Sequence, residues 1–207
     1  RAGTPLIEIV SEPDIHSPAE ARAYATELYN LMTFAGVTHG DLYHGNMRFD
    51  VNLSVAKVGS DQLGTRTETK NLNSFRSIER AAQYEFDRQV ALLEAGEKVT
   101  QETRGWDDDT GKTISQRSKE DAQDYRYMPD PDIPPLVLSQ QDIAMMQDGM
   151  PVMPGEYRQN WLSLDLDKSV INTVLSHPSV AETAESVRAV YGNEAAKRVF
   201  NWFASAG

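Results

Sequence analysis

In the stretch MRFDVNLSV the odd positions Met47, Phe49, Val51, Leu53 and Val55 are apolar, and Arg48, Asp50, Asn52 and Ser54 fall between them. A period of two sends the two sets to opposite faces of a strand. GTRTETKNLNS repeats the pattern after a polar loop, placing Arg66, Glu68 and Lys70 on one face, so residues 47–55 and 63–70 are expected to form a hairpin across AKVGSDQ. Upstream, PLIEIV reads as a short strand interrupted by Glu8. Between PLIEIV and MRFDVNLSV, Ser17 as N-cap, Pro18 at the first helical position and Glu20 closing a capping box start a helix. Ala21, Tyr24, Leu28, Leu31, Met32 and Ala35 are its expected buried stripe, and Gly36 its end.

A second helix is expected to start near Asn73 and Ser74, bury Phe75, Ile78, Ala82, Phe86 and Leu93, and stop at Gly96. KVTQETRGW and KTISQRS flank the turn DDDTG and read as another hairpin. The pattern changes at DYRYMPDPDIPPLVL, where Pro129, Pro131, Pro134 and Pro135 exclude a continuous helix. Beyond it, Ser139 caps a short helix, and helical segments follow Pro154, Asp167, Pro178 and Asn193. The fold class is therefore α+β, with residues 1–137 forming a mixed or antiparallel sheet domain and residues 138–207 the start of a small all-helical domain.

Composition narrows the chemistry. The chain has 207 residues, 40% hydrophobic, enough for a real core. No run approaches a membrane span and the N-terminus has no signal-peptide pattern, so the expected location is the cytoplasm. The chain begins at Arg rather than Met, as a piece of a longer protein would. With no cysteine, disulfides, zinc–thiolate sites and thiol nucleophiles are excluded, and any metal is expected to be a hard cation. A net charge of -11 opposes generic nucleic-acid binding. The histidines lack metal spacing, and neither a Walker-type loop nor a nucleophile elbow is present.

Glu8, Asp50 and Glu68 stand in the middle of expected strands, where carboxylates are disfavoured. If the strands are neighbours, the three converge on an oxygen-rich site suited to magnesium. The alternative is a wet face on which Asp50 and Glu68 pair with Arg66, Lys70 or Arg48. Of Asn71 and Asn73, one is expected to cap the second helix and the other to orient a substrate carbonyl or amine.

Six strings in series, GTPLIEIVSEPDI, MRFDVNLSV, GTRTETKNLNSF, QETRGWD, SKEDAQDYRYMPDPDIPPL and the closing FNW, resemble the GatB family, which supplies one subunit of the bacterial aspartyl/glutamyl-tRNA amidotransferases. The resemblance is dense to about residue 137 and thinner in the helical tail. It implies a subunit of a heterotrimer that uses ATP to phosphorylate the side-chain carboxylate of glutamate or aspartate mischarged on tRNA-Gln or tRNA-Asn. Ammonia from a partner amidase subunit then amidates it, with a small third subunit completing the complex.

The resemblance also implies a magnesium-carrying cradle, a helical domain and a C-terminal tail that grips tRNA. By matching motif, Glu8, Asp50 and Glu68 become the expected metal ligands. Arg66, Lys70 and Arg126 become the expected groups facing phosphate or the substrate carboxylate, with Asn71, Asn73 and Tyr127 lining the substrate. Many relatives carry an acidic pair where this chain has Tyr43 and His44, and the family's N-terminal cradle portion and tail are not represented, so the isolated chain is expected to be inactive. A non-catalytic scaffold joining an amidase to tRNA, and an unrelated magnesium-dependent ligase acting on a free carboxylate, are the alternative readings.

Overall fold

The computed structural model describes residues 5–118, 128–129 and 131–206. These divide into two compact units, one of residues 1–26 and 48–122, the other of residues 27–47 and 123–207. The division falls inside the first helix, α1 (Pro18–Phe34).

The first unit is built on a four-stranded sheet in the order β1 (Phe49–Leu53), β2 (Thr67–Leu72), β3 (Glu102–Asp107), β4 (Lys112–Ser118). The outer pairs β1–β2 and β3–β4 are antiparallel hairpins, as the alternation predicted, and the central pair β2–β3 is parallel. A parallel pair needs a crossover, and α2 (Phe75–Glu94) supplies it. The mixed sheet and the helices give the expected α+β class.

Helix α2 covers one face of the sheet. Its buried positions are Ser77, Ile78, Ala81, Ala82, Glu85 and Gln89, a helical stripe. The apolar stripe expected from the sequence is out of phase with this: Phe86 and Leu93 are 45% and 44% exposed. Ile78, Ala81, Leu72, Trp106 and Ala25 of α1 form the apolar part of the core, with Phe49, Val51 and Phe75 against it.

The cap of α2 is Ser74, whose hydroxyl accepts from Ser77 N at 3.0 Å, and not Asn73. Ser17 caps α1 as expected, accepting from Glu20 N at 3.2 Å, but the Glu20 carboxylate reaches His16 N instead of closing a box on Ser17. In α1 the buried side chains are Ala25, Asn30 and Phe34, while Tyr24 is exposed.

PLIEIV does not form a strand. Residues 5–12 carry no regular structure, and Leu6 and Val10 are 80% and 77% exposed. A strand exists only when its N–H and C=O groups meet a neighbour, and the sheet order β1-β2-β3-β4 offers this segment none.

The second unit is helical, as predicted: α3 (Gln140–Asp148), α4 (Pro154–Trp161), a 3-10 turn at Leu162–Leu164, α5 (Lys168–Leu175), α6 (Pro178–Tyr191) and α7 (Asn193–Ala206). Ser139 closes a capping box with Asp142, and Asp167 caps α5. Trp161, Leu164, Leu175 and Phe200 are fully buried with Phe34 and Tyr157 around them. The one polar atom of Trp161 is satisfied, because its indole N–H donates to Glu185 at 2.7 Å.

Candidate functional site

Alternation along β1, β2 and β3 leaves a charged face on the side of the sheet away from α2. On β2, Thr67 and Thr69 are buried and Glu68 and Lys70 are turned to the other side. The Lys70 ammonium stands 2.7 Å from the Asp50 carboxylate of β1 and 3.2 Å from Glu68. Thr103, the register partner of Glu68 on β3, donates its hydroxyl to Glu68 at 3.0 Å. Burial pushes Lys70 towards the neutral form, but Asp50 and then Glu68 outweigh it, so its pKa is raised and it stays charged.

Two β-bulges flank this face. Phe49 pairs with Leu72 and Val51 with Thr69, so β2 carries one extra residue against β1. The irregularity is at Asn71, whose φ is +67°, a left-handed conformation that asparagine tolerates. It breaks the alternation, so Leu72 enters the core, and the Asn71 amide donates to Trp106 O at 3.0 Å. On the other side, Thr103 pairs with Arg117 and Arg104 with Ser115, which makes Gln116 the extra residue of β4. Gly105, opposite Lys70, has no room for a side chain: a Cβ would stand 2.2 Å from Nε2 of Gln116. Bulges next to sites re-aim side chains, and here both border the Asp50–Lys70–Glu68–Thr103 row.

Beneath the same strands lies a buried ionic cluster that the sequence pattern did not predict. Glu85 of α2, 0% exposed, accepts from Thr67 at 2.9 Å, from Thr113 at 3.0 Å and from Nε of Arg88 at 3.0 and 3.1 Å. Arg104 approaches Glu85 at 3.4 Å, donates to Thr113, and pairs closely with Glu102. Gln89 donates to Thr67 at 2.9 Å and to Leu53 O at 3.2 Å. Burial opposes ionisation of Glu85, yet Arg88, Thr67 and Thr113 together hold its carboxyl below the usual range. A trace of this arrangement was readable: Ile78, Ala81, Ala82, Glu85 and Gln89 lie on one helical stripe, with Arg88 three residues after Glu85.

Of the residues singled out from the sequence, Asp50, Glu68 and Lys70 are brought together. Glu8 lies in the exposed segment before α1 and has no part in that contact. Arg66, one residue before β2, and Asn73, one residue after it, are exposed. Arg126 and Tyr127 lie outside the described residues. Among the described residues no group of three or more histidines, aspartates or glutamates stands close enough to hold a metal ion. The donor chemistry nonetheless suits a hard cation: two carboxylates on neighbouring strands are drawn to one positive charge, now the Lys70 ammonium, and magnesium is typically held by one or two carboxylates with waters and substrate phosphate. Tyr43 and His44 are exposed, and His44 Nδ1 lies 2.5 Å from the Asp41 carboxylate, whose pKa the hydrogen bond from His44 lowers. Among the described residues no helix is long and apolar enough to cross a membrane.

Comparison with known proteins places these residues in a family. A protein-family model described as the GatB/GatE catalytic domain matches residues 1–144. The chain is 48% identical over 203 residues to the GatB subunit of the aspartyl/glutamyl-tRNA(Asn/Gln) amidotransferase of Janthinobacterium sp. (strain Marseille), covering 98% of this chain and 42% of that protein. The corresponding subunits from Herpetosiphon aurantiacus and Burkholderia cenocepacia (strain HI2424) are each 46% identical over 203 residues, and the chain spans 42% and 41% of them. It thus spans less than half the length of the curated relatives it matches. With most of its length matched by the family's catalytic domain, including the whole sheet and its charged face, the chain belongs to the GatB/GatE family.

Proposed function

We propose that this chain contributes the charged sheet face of a carboxylate-activating centre in an aspartyl/glutamyl-tRNA(Asn/Gln) amidotransferase. The observation that carries the proposal is the row Asp50, Lys70, Glu68 and Thr103, held on one face of a sheet that lies wholly within the catalytic-domain match. In the proposed reaction a side-chain carboxylate oxygen of the mischarged glutamate or aspartate attacks the γ-phosphorus of ATP, and ADP leaves. Ammonia, delivered by a partner amidase subunit, then attacks the acyl carbon. The C–O bond to phosphate breaks, ammonia loses its protons to solvent, and an amide and inorganic phosphate result.

Phosphoryl transfer of this kind is governed by positioning and charge neutralisation more than by covalent catalysis. Asp50 and Glu68 would hold magnesium, with Glu8 assigned to the same ion, and the ion supplies charge neutralisation on the triphosphate. Thr103 keeps the Glu68 carboxylate oriented. Lys70 holds Asp50 and Glu68 together and keeps a positive charge beside the incoming carboxylate and phosphates. Arg66 and Arg126 are assigned to phosphate or carboxylate contact and Tyr127 and Asn73 to the substrate, whereas the amide of Asn71 is already bonded to Trp106 O.

The test uses the full-length subunit in its reconstituted complex, supplied with charged tRNA and ammonia. Glu68→Gln and Asp50→Asn are expected to abolish both tRNA-dependent ADP release and amide formation, while exposed Glu94→Gln at the end of α2 leaves both unchanged. Wild-type turnover in E68Q and D50N would leave the chain a scaffold between an amidase and tRNA.

A further inference from the structure

The buried cluster under the sheet does something an apolar core would not. Replacing buried ion pairs by well-packed apolar residues is often neutral or stabilising, so stability alone does not account for placing Glu85, Arg88, Glu102 and Arg104 there. Directional hydrogen bonds, unlike apolar contacts, are lost when a strand slips. The residues that make them here are the immediate neighbours of the charged face. Thr67, bonded to Glu85, precedes Glu68, and Glu102 and Arg104 flank Thr103.

Successive strand residues point to opposite faces, and a slip of one residue exchanges the faces. Helix α2 grips β2 through Thr67 and Gln89, β3 through Arg104, and β4 through Thr113; Ser115 adds a bond to Glu102. With Thr67 and Arg104 held underneath, Glu68 and Thr103 have one place to stand above, within the 3.0 Å hydrogen bond that joins them.

We propose that Glu85 is a positioning residue: through Thr67 and Arg104 it sets the register of the central parallel pair and so places the Glu68 carboxylate against Thr103 on the reactive face. This inference rests on the function proposed above. Outer groups that orient ligands change metal affinity or activity by roughly tenfold to hundredfold when removed, and that is the size of effect expected here.

The experiment uses the full-length subunit in its complex and reads Mn²⁺ affinity by electron paramagnetic resonance alongside kcat and KM for tRNA-dependent ADP release, below the melting transition of each variant. Glu85→Gln keeps the size and removes the charge; Thr67→Val is isosteric and cuts the link to β2. Thr103→Val leaves the buried cluster intact and cuts the last link. All three are expected to weaken Mn²⁺ binding and lower kcat by about tenfold or more, with the partner's glutamine hydrolysis unmoved. Variants that melt earlier yet keep wild-type Mn²⁺ affinity and kcat would overturn the inference by showing a purely structural cluster. Glu68→Gln serves as the reference: if it, too, leaves Mn²⁺ affinity unchanged, the site reading itself fails and the positioning role falls with it. Loss in E68Q with retention in T103V overturns only the positioning role.

Discussion

Removing Glu85 is the most severe single change the first unit offers. In Glu85→Ala the carboxylate disappears from a fully buried position, and Arg88, Arg104, Thr67 and Thr113 lose a shared acceptor at once. Glu102 remains, 4.0 Å from Arg88 and in close contact with Arg104, so one carboxylate is left to face two guanidinium groups. Breaking a buried pair by deleting one partner costs about 3–5 kcal/mol, and each neutral hydrogen bond lost adds about 1 kcal/mol where the donor finds no water. The expected loss is therefore at least ~3 kcal/mol, most of the stability of a marginal domain. Because the chain has two compact units, the measurement must be local: native-state hydrogen exchange of the β2 and β3 amides in the full-length protein. Pairing E85A with Arg88→Ala closes a double-mutant cycle whose coupling is expected at about 1–3 kcal/mol, since the second deletion removes a charge the first left stranded. An E85A cost below about 1 kcal/mol, the range of an exposed ion pair, would refute the reasoning.

Other consequences are smaller. The pKa of Glu85 is lowered in the folded state, so its ionised form contributes stability above its ordinary value of 4.5, and that contribution is lost as pH falls through the folded value. The stability difference between wild type and Glu85→Gln should be flat from neutral pH down to that region and shrink below it, as read by acid titration of unfolding; a difference that grows on acidification would reverse the sign. Asn71→Val is expected to cost about 1–2 kcal/mol because a β-branched residue resists the left-handed conformation and the bond to Trp106 O is lost, whereas Asn71→Gly should cost less; equal effects in thermal melts would remove the strain argument. Ser74→Ala should destabilise α2 by about 1 kcal/mol, while Asn73→Ala should be nearly silent, a contrast that hydrogen exchange at the N-terminal turn can read.

These residues also mark what the sequence made legible. Period-two alternation put Asp50, Glu68 and Lys70 on exposed faces of paired strands, and turn and cap residues located both hairpins and every helix of the second unit, because those signals are local. The phase of α2 was not legible from hydrophobicity. Its buried side holds Glu85 and Gln89, whose partners Thr67 and Thr113 come from strands 18 and 28 residues away, so nothing nearby in sequence shows that they are satisfied. The parallel pairing of β2 with β3 is likewise a long-range fact, spanning all of α2. PLIEIV failed as a strand for a related reason: propensity makes a strand possible, and a neighbour makes it real. The bulges at Asn71 and Gln116, which bracket the charged face, leave a sequence hint in asparagine and glycine only once the register is known.

The most direct measurement of the central claim follows the fate of one oxygen. Aminoacyl-tRNA labelled with oxygen-18 in the side-chain carboxylate, given to the full-length complex with ATP and ammonia, should hand one labelled oxygen to inorganic phosphate for each amide formed, because that oxygen bridges carbon and phosphorus in the activated ester. Glu68→Gln should stop the transfer while the partner subunit continues to hydrolyse glutamine. Labelled phosphate appearing at the wild-type rate in E68Q, or amide formed by the wild-type complex with no label in phosphate, would contradict the assignment of this sheet face to carboxylate activation.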